Sequence, residues 1–377
     1  MADNKDKKVL NVPALRFPEF TGEWERHKLS EVCSFYSGGT PSSSKKEYYN
    51  GNIPFIRSGE LHKDYTELFI TEAGLSNSAA KLVETGDLLL ALYGATSGDI
   101  AISKIKGAIN QAILCIRTKQ NKKFIESVWN KHVERLLQTY LQGGQGNLSA
   151  DIVKNIPFYF ANSNEQDKLA KFISLLDERI ATQNKIIEKL ETLIKGIRHN
   201  IFKQLRKNVG FNATIGNILS FEQPQRYIVS SAEYSNDCTF TPVLTANKAF
   251  ILGYTTETDG IYSKGDCIII DDFTLDCKYV SFPFKVKSSA IKILTAKNKF
   301  ILRYTYEYLK SLELSTEEHK RHYIADVQPH SCVLPDENIL KTIALVFENL
   351  ACKLANEQSL VLILNKQKQY LLSKMFI

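Results

Sequence analysis

The chain has 377 residues, of which 44% are hydrophobic and 24% charged, and its formal net charge is +7. This length exceeds one ordinary domain and fits two, and the composition is that of a globular protein with enough apolar residues for two cores. No run approaches the roughly 18 apolar residues of a membrane span, no apolar signal segment follows the charged start, and the seven cysteines form no Cys-x-x-Cys pair, so we expect a cytoplasmic protein.

The same arrangement of residues occurs twice along the chain. Gly86-Asp87-Leu88-Leu89-Leu90 in the first half is matched by Gly265-Asp266-Cys267-Ile268-Ile269 in the second. Later matches keep the same order, and the offset between partners falls slowly from 179 to 174 residues. A steady drift of this kind indicates two divergent copies of one unit, with small deletions in the second copy.

Each copy is predicted to contain a strand-rich domain followed by one long helix. Short β-type runs separated by Gly, Ser and Asn fill each domain, and one helix per domain is expected, over 124–141 and 299–312. The predicted fold class is therefore α+β, with two tandem domains alternating with two long helices that pair as an antiparallel coiled coil. The predicted divisions are 1–16 (lead-in), 17–162 (first domain), 163–208 (first long helix), 209–336 (second domain) and 337–377 (second long helix).

The two long segments share an unbroken heptad pattern of apolar residues. Steps of four and three residues continue over several heptads, and this period favours another helix as packing partner over the alternative, packing on the helix's own domain. Polar Gln183 and Glu357 occupy equivalent positions, and a polar residue in such a seam typically fixes the register. The predicted pairing positions are Leu169, Ile173, Leu176, Ile180, Gln183, Ile187, Leu190, Ile194, Ile197 and Ile201 in the first helix, and Ile343, Phe347, Leu350, Leu354, Val361, Leu364, Leu371 and Met375 in the second.

Catalytic and metal-binding motifs are largely missing. The sequence has no P-loop and no dinucleotide-binding glycine motif. Asp259 with Asp276-Cys277-Lys278 resembles the acidic and lysine residues of metal-dependent nucleases, but the first copy has no counterpart. Histidines and a cysteine within 319–332 have metal-ligand side chains at spacings that match no structural zinc pattern. We therefore predict no catalytic residue and no metal ligand in this chain.

The loops of both domains have the composition of a nucleic-acid-binding surface. Glycine permits close backbone approach, Ser, Thr and Lys side chains reach phosphates, and Arg, Asn and Gln can bind base edges. Taken singly, each loop is better explained as an ordinary solvated turn; taken together in both copies, the binding interpretation and the solvated-turn interpretation are equally supported. The predicted DNA-binding residues of the first domain are Gly38, Gly39, Thr40, Ser42, Ser43, Lys45, Lys46, Arg57, Ser58, Tyr93, Gly94, Thr96, Ser97, Asn110 and Gln111. Those of the second are Thr245, Asn247, Lys248, Asp272, Phe273, Thr274, Lys278, Tyr279, Lys285, Lys287 and Ser288.

Several segments, in their order along the chain, are similar to those of one protein family. They are Leu15-Arg16-Phe17-Pro18-Glu19-Phe20, Ser37-Gly38-Gly39-Thr40-Pro41, Tyr93-Gly94-Ala95-Thr96-Ser97-Gly98, Asn147-Leu148-Ser149-Ala150-Asp151-Ile152 and Glu165-Gln166. On these segments the chain resembles the specificity subunits of type I restriction–modification systems. The second copy departs from the first, since Asp271-Asp272-Phe273 stands where the first copy has the Tyr93 segment.

The resemblance implies two target-recognition domains separated by antiparallel spacer helices, each domain reading one half of a split, asymmetric DNA target. The expected partners are double-stranded DNA, two modification (methyltransferase) subunits and restriction (translocase/nuclease) subunits. The partners would use S-adenosylmethionine, ATP and Mg, and this chain itself would bind no cofactor and catalyse no reaction. Two alternatives are a non-reading assembly scaffold and a self-sufficient Mg-dependent nuclease.

Overall fold

A computed structural model describes residues 10–141, 147–247, 249–314, 316 and 320–377. The strands are β1 (Glu25–Lys28), β2 (Cys33–Ser37), β3 (Tyr49–Ile56), β4 (Phe69–Ile70), β5 (Lys81–Val83), β6 (Leu88–Ala91), β7 (Ile100–Ile102), β8 (Gly107–Ile109), β9 (Ile113–Thr118), β10 (Pro157–Phe160), β11 (Ala213–Thr214), β12 (Leu219–Glu222), β13 (Thr241–Leu244), β14 (Ile251–Thr255), β15 (Cys267–Asp271), β16 (Cys277–Val280), β17 (Lys285–Val286), β18 (Ile291–Ala296) and β19 (Ser331–Cys332). The α-helices are α1 (Leu29–Val32), α2 (Glu72–Ser76), α3 (Lys122–Leu141), α4 (Ala150–Asn155), α5 (Ser163–Asn208), α6 (Ile215–Ile218), α7 (Lys299–Ser311) and α8 (Glu337–Met375).

The chain divides into two compact units. The first comprises the described residues up to Thr182 together with Val361–Ile377, and the second comprises Gln183–Leu360 with its described residues. The division falls inside both long helices, α5 and α8, so that each unit contains part of each helix. The sequence-based divisions instead treat the long helices as segments apart from the domains. Among the described helices, none combines the length and the apolarity that a bilayer span requires.

The first unit contains two four-stranded sheets, with strand orders β2-β9-β6-β7 and β4-β3-β8-β5. Strand β6 is buried on both faces. Leu88 and Leu90 join an apolar cluster with Trp129 of α3, whereas Leu89 lies in a second cluster with Ile109 of the other sheet. Successive side chains of a strand point to opposite faces, so a strand covered on both sides needs a continuous apolar run. This explains the Leu-Leu-Leu sequence.

The second unit repeats this arrangement with strand orders β12-β18-β15-β16 and β14-β13-β17. Strand β15 takes the place of β6. Ile268 and Ile270 pack in a cluster with Tyr304 of α7, and Ile269 packs in a separate cluster with Val286. The repeat seen in the sequence is therefore a repeat of the fold.

The long helices run antiparallel within the first unit. Leu169 near the start of α5 lies in the same apolar cluster as Leu372 near the end of α8. Further along α5, the Asp177 carboxylate forms an ion pair with the Lys368 ammonium at 2.5 Å. Lys368 lies earlier in α8 than Leu372. The contacts therefore move back along α8 as they move forward along α5.

The same direction holds within the second unit. The Gln183 side chain donates a hydrogen bond to Glu357, and further along α5 the Phe202 ring stacks on Phe347, with ring centroids 6.5 Å apart and planes 4° apart. The polar pair that the sequence placed at equivalent positions is thus in direct contact. Every predicted pairing position in α5 and α8 is buried or half-buried.

Candidate nucleic-acid interface

Four of the predicted polar segments of the first unit leave its two sheets at the same edge. The segments 38–46 and 93–98 follow the last residues of β2 and β6, and the pair Asn110-Gln111 lies between β8 and β9. Arg57-Ser58 follows β3, whose last residue pairs with the last residue of the parallel strand β8. We call these four segments the first recognition surface. The register pairs that bring them together are Ser37 with Leu114, Ala91 with Ile113 and Ile56 with Ile109.

Hydrogen bonds join two of these segments directly. The Gly38 N–H donates to the Asn110 carbonyl at 3.2 Å, and the Thr40 hydroxyl donates to Gln111 Oε1 at 2.7 Å. Ser42, Ser43, Lys45 and Lys46 follow on the same loop and are exposed, and their hydroxyl and ammonium groups are suited to phosphate contacts.

The two glycines of the first loop have a different role from the one expected. A Cβ added to Gly38 would lie 1.8 Å from the Ile109 carbonyl oxygen, and one added to Gly39 would lie 2.5 Å from the Ala79 Cβ. Both glycines are therefore required by packing within the unit. We correct their assignment: they let neighbouring backbone approach, whereas the sequence analysis expected them to let DNA approach.

The segment that contains Tyr93 is held against α3. The Trp129 Nε1–H donates to the Gly98 carbonyl at 2.8 Å, and the Ser97 hydroxyl donates to the Leu92 carbonyl at 2.9 Å. Gly94 and Gly98 both have φ of +86°, a backbone conformation that glycine adopts at low cost. Because the Ser97 hydroxyl is used inside the loop, this side chain fixes the loop shape.

Arg57 forms an ion-pair network within the first recognition surface. Its guanidinium contacts Glu60 at 2.8 Å and Glu67 at 2.6 Å, and the Thr66 hydroxyl donates to Glu60 at 3.0 Å. Burial alone would raise the pKa of Glu60, but the Arg57 side chain and the surrounding N–H and O–H donors stabilise the charged form and lower that pKa to about 2. The carboxylates hold the half-exposed guanidinium in one orientation.

The Glu60 network should make the stability of the protein depend on acid pH. Because the folded-state pKa lies below the ordinary value of 4.5, the stabilisation is present above pH 4.5 and is lost as the pH falls towards 2. Between pH 6 and pH 3 this loss is about 2 kcal/mol. Urea unfolding at both pH values should show that Glu60→Gln lacks this part of the acid dependence, whereas the exposed control Glu67→Gln keeps it. Equal acid dependence in wild type and Glu60→Gln would contradict the assignment.

The second unit presents a corresponding edge. The segments 245–247, 272–274 and 287–289 follow β13, β15 and β17, and these strands end at the same edge of the unit. We call them the second recognition surface. The predicted residue Lys248 lies outside the described residues. The register pairs that bring the segments together are Leu244 with Val286 and Asp271 with Ile291.

Several predicted residues of the second unit do not belong to this surface. Lys285 is 3% exposed and its ammonium pairs with Glu257 at 2.7 Å, so it is a buried structural lysine. Lys278 and Tyr279 lie on β16, where Tyr279 donates to Asp266 beyond the opposite end of β15. We withdraw these three residues as DNA contacts.

Asp272 is also buried, at 1% exposure, and cannot itself reach DNA. Its carboxylate lies 3.1 Å from the ammonium of Lys292, which is equally buried and donates to Gln223 Oε1 at 2.8 Å. The sequence analysis assigned Asp272 to DNA and missed Lys292, because the strand β18 that carries Lys292 appeared to be a plain apolar strand.

A second residue that the sequence analysis missed is Arg321. Its guanidinium lies 6.0 Å from the centre of the Phe273 ring and 3.9 Å from Asp272 Oδ2, and its side chain is 50% exposed. No motif surrounds it in the sequence. Its only sequence signal is position, since Arg321 lies shortly before Ala325-Asp326-Val327, which matches Ala150-Asp151-Ile152 of the first copy.

Each unit has the same set of backbone hydrogen bonds at this edge, formed between its own residues. The Leu92 N–H donates to the Ala112 carbonyl at 2.8 Å, and the Asp272 N–H donates to the Ala290 carbonyl at 2.7 Å. These bonds make residues 92 and 272 equivalent. A further bond, from Leu148 N–H to Leu92 O at 2.8 Å, recurs from His322 N–H to Asp272 O at 2.9 Å. One backbone frame thus carries different side chains in the two units.

The described residues show no group of three or more His, Cys, Asp or Glu side chains placed to hold a metal ion. Asp259 lines an open groove of about 500 Å³ with Arg226, Glu257 and Lys285, and Asp276 lines a different, smaller one. The two carboxylates of the proposed nuclease arrangement therefore border different grooves.

Residues 21–192 match the family model described as the type I restriction modification DNA specificity domain. Over 94% of this chain and 92% of the relative, the sequence is 24% identical to the specificity subunit of the type I restriction enzyme MjaIX of Methanocaldococcus jannaschii. The fold is similar to that of a type I restriction-modification S subunit from M. genitalium, with a TM-score of 0.64, 17% identity, and coverage of 97% of this chain and 99% of that one. The chain is thus similar in sequence to specificity subunits of type I restriction enzymes.

Other specificity subunits match over shorter stretches. That of an Escherichia coli type I restriction enzyme is 44% identical over 141 residues, which are 36% of this chain and 35% of the relative. The chain also aligns with 45% of the length of the MjaVIII specificity subunit of M. jannaschii, at 24% identity over 52% of this chain. Thus the chain spans less than half the length of these two relatives.

Proposed function

We propose that this chain is the specificity subunit of a type I restriction–modification system and recognises a split DNA target, with each recognition surface reading one block of base pairs. The observation that carries the proposal is the shared backbone frame with different side chains at its positions. Asn147 and Arg321 occupy one exposed position of that frame, directly before the equivalent residues Leu148 and His322, yet one is an amide and the other a guanidinium. An unchanged frame with changed side chains suits two surfaces that read different sequences.

The proposal gives this chain no catalytic role. Modification subunits would methylate adenine with S-adenosylmethionine, restriction subunits would use ATP and Mg, and this chain would bind none of these cofactors. Exposed apolar side chains on α5 and α8 support docking of partner subunits on the helices: Ile186 is 42%, Leu193 55% and Ile363 60% exposed. A net charge of +7 supports DNA binding that weakens as the salt concentration rises.

Mapping of methyladenine tests the proposal. The chain would be co-expressed with its modification subunit in a host without adenine methylation, and methyladenine would be mapped across the genome. We expect one motif of two short specific blocks around a fixed gap. A stable, soluble complex that methylates no motif would contradict the proposal and favour the scaffold. Cleavage of DNA by the chain alone with Mg²⁺, lost in Asp276→Ala, would favour the nuclease.

A further inference from the structure

The ion pair between Lys292 and Asp272 occupies positions that are apolar in the first unit. Lys292 pairs with Ile270 of β15, and in the first unit Leu114 pairs with Leu90 of β6 in the same register. Leu114 is therefore the counterpart of Lys292. The counterpart of Asp272 is Leu92, and both leucines lie in one apolar cluster. Burying two charges costs free energy that a well-packed apolar pair avoids. The shared fold therefore does not require an ion pair here, and its presence in the second unit calls for another reason.

Asp272 organises the segment that carries Arg321. Its Oδ1 accepts a hydrogen bond from the Tyr323 N–H at 2.8 Å, in addition to the bond from His322 N–H to its carbonyl. The hydrogen bond to the Asp272 carbonyl has a counterpart in the first unit, from Leu148 N–H to the Leu92 carbonyl. The hydrogen bond to the Asp272 side chain has none, because a leucine side chain cannot accept a hydrogen bond. The carboxylate thus adds an anchor to the segment just after Arg321.

Lys292 also affects the position of the Arg321 guanidinium, because it competes with Arg321 for the Asp272 carboxylate. Because Asp272 is already paired with Lys292 at 3.1 Å and bonded to the Tyr323 N–H, Arg321 stands off from the carboxylate at 3.9 Å. The guanidinium also lies 6.0 Å from the centre of the Phe273 ring, within the range of a cation–π contact. Arg321 is therefore held at the edge of the second recognition surface with half of its side chain exposed.

We propose that Arg321 contacts DNA on the second recognition surface, and that the buried Lys292–Asp272 pair is the device that positions it. The inference rests on the proposed function and extends it to named residues. A planar guanidinium with five donors suits both a base edge and the phosphate backbone. Lys292 and Asp272 act through Arg321 and do not touch DNA themselves. The first unit has Asn147 in place of Arg321, so this contact would distinguish the two surfaces.

The first experiment measures DNA binding by the complex of this chain with its modification subunit. Three duplexes are compared: the mapped target, and the same duplex with one or the other block scrambled. Arg321→Ala should raise the Kd for the intact target by about tenfold or more and weaken discrimination at one block only. The control Lys297→Ala removes the same charge from an exposed residue beyond the opposite end of β18 and should bind like wild type.

Unchanged binding and discrimination in Arg321→Ala would overturn the proposal. Equal losses in Lys297→Ala and Arg321→Ala would also overturn it, because the effect would then be one of net charge. If the wild-type complex itself does not distinguish the target from either scrambled duplex, the proposed function fails, and this inference fails with it.

The second experiment tests the positioning pair. The double variant Lys292→Leu with Asp272→Leu reproduces the leucines of the first unit and leaves no unpaired buried charge, so we expect it to fold and to join the complex. Its Kd for the target should rise about tenfold, with discrimination lost at the same block that Arg321→Ala affects. A folded double variant with wild-type discrimination would show that the pair is only structural. Adding Arg321→Ala to the double variant should cause little further loss.

Discussion

Glu307→Leu is expected to lower the free energy of unfolding by about 3–5 kcal/mol. Glu307 on α7 is 2% exposed at its side chain and pairs with Arg198 of α5 and Arg303 of α7, both at 2.8 Å. Its removal leaves two mostly buried guanidinium groups without their shared carboxylate. The loss should appear as a lower midpoint in urea unfolding with an unchanged dependence on denaturant.

The exposed pair of Glu313 with Lys195 is the matched control. Its two atoms also lie 2.8 Å apart, but both side chains are more than half exposed, so the water and salt around them screen the attraction. Glu313→Leu should leave the unfolding midpoint unchanged. Equal effects of the two substitutions would show that the Glu307 network is as weak as a surface ion pair.

Gly38→Ala is expected to damage both the stability of the first unit and its proposed DNA recognition. The new Cβ would overlap the Ile109 carbonyl oxygen, which is backbone and cannot rotate away. Relief requires the start of the first loop to move away from β8, which breaks the hydrogen bond from Gly38 to Asn110. We expect a loss of about 1–3 kcal/mol of stability. Methylation at the mapped motif should fall in the complex, with one block read less strictly.

The control is Gly59→Ala. Gly59 lies in the turn after Arg57 on the same surface, and a Cβ there meets no atom within 4 Å. This substitution should leave both the unfolding midpoint and the methylated motif as in wild type. If Gly38→Ala also behaved like wild type, the close approach between the first loop and β8 would not be required.

Periodic features of the sequence predicted the fold well. The heptad pattern anticipated the antiparallel pairing of α5 with α8, and the apolar runs anticipated β6 and β15, because burial on both faces leaves a pattern that local reading detects. The nearly constant offset between matching segments predicted that the two units have the same fold. These signals are local, and they survive without knowledge of which strands become neighbours.

The individual site residues were harder to predict because exposure and pairing depend on distant neighbours. Nothing near Asp272 in the sequence shows that Lys292 lies beside it, since the contact arises from the pairing of β15 with β18. Lys285 seemed to belong to a basic surface stretch, but Glu257 neutralises it inside the fold. Gly38 was assigned to DNA because glycine permits close backbone approach, but the backbone that it approaches in the structure is the protein's own. Composition identified the loops and could not rank the residues within them.

The first unit is built from both ends of the chain, and this has a consequence for its folding during synthesis. Phe376 and Leu372 fill the same apolar cluster as Trp24 and Phe124, although residues 183–360 lie between them in the chain. On a ribosome, which makes the chain from its N-terminus, the unit that begins first therefore cannot close its core until the second has been made. A product that stops before residue 361 would leave Trp24 and Phe124 without these partners. Premature termination would thus expose apolar surface in the early unit and mark the unfinished chain for aggregation or degradation.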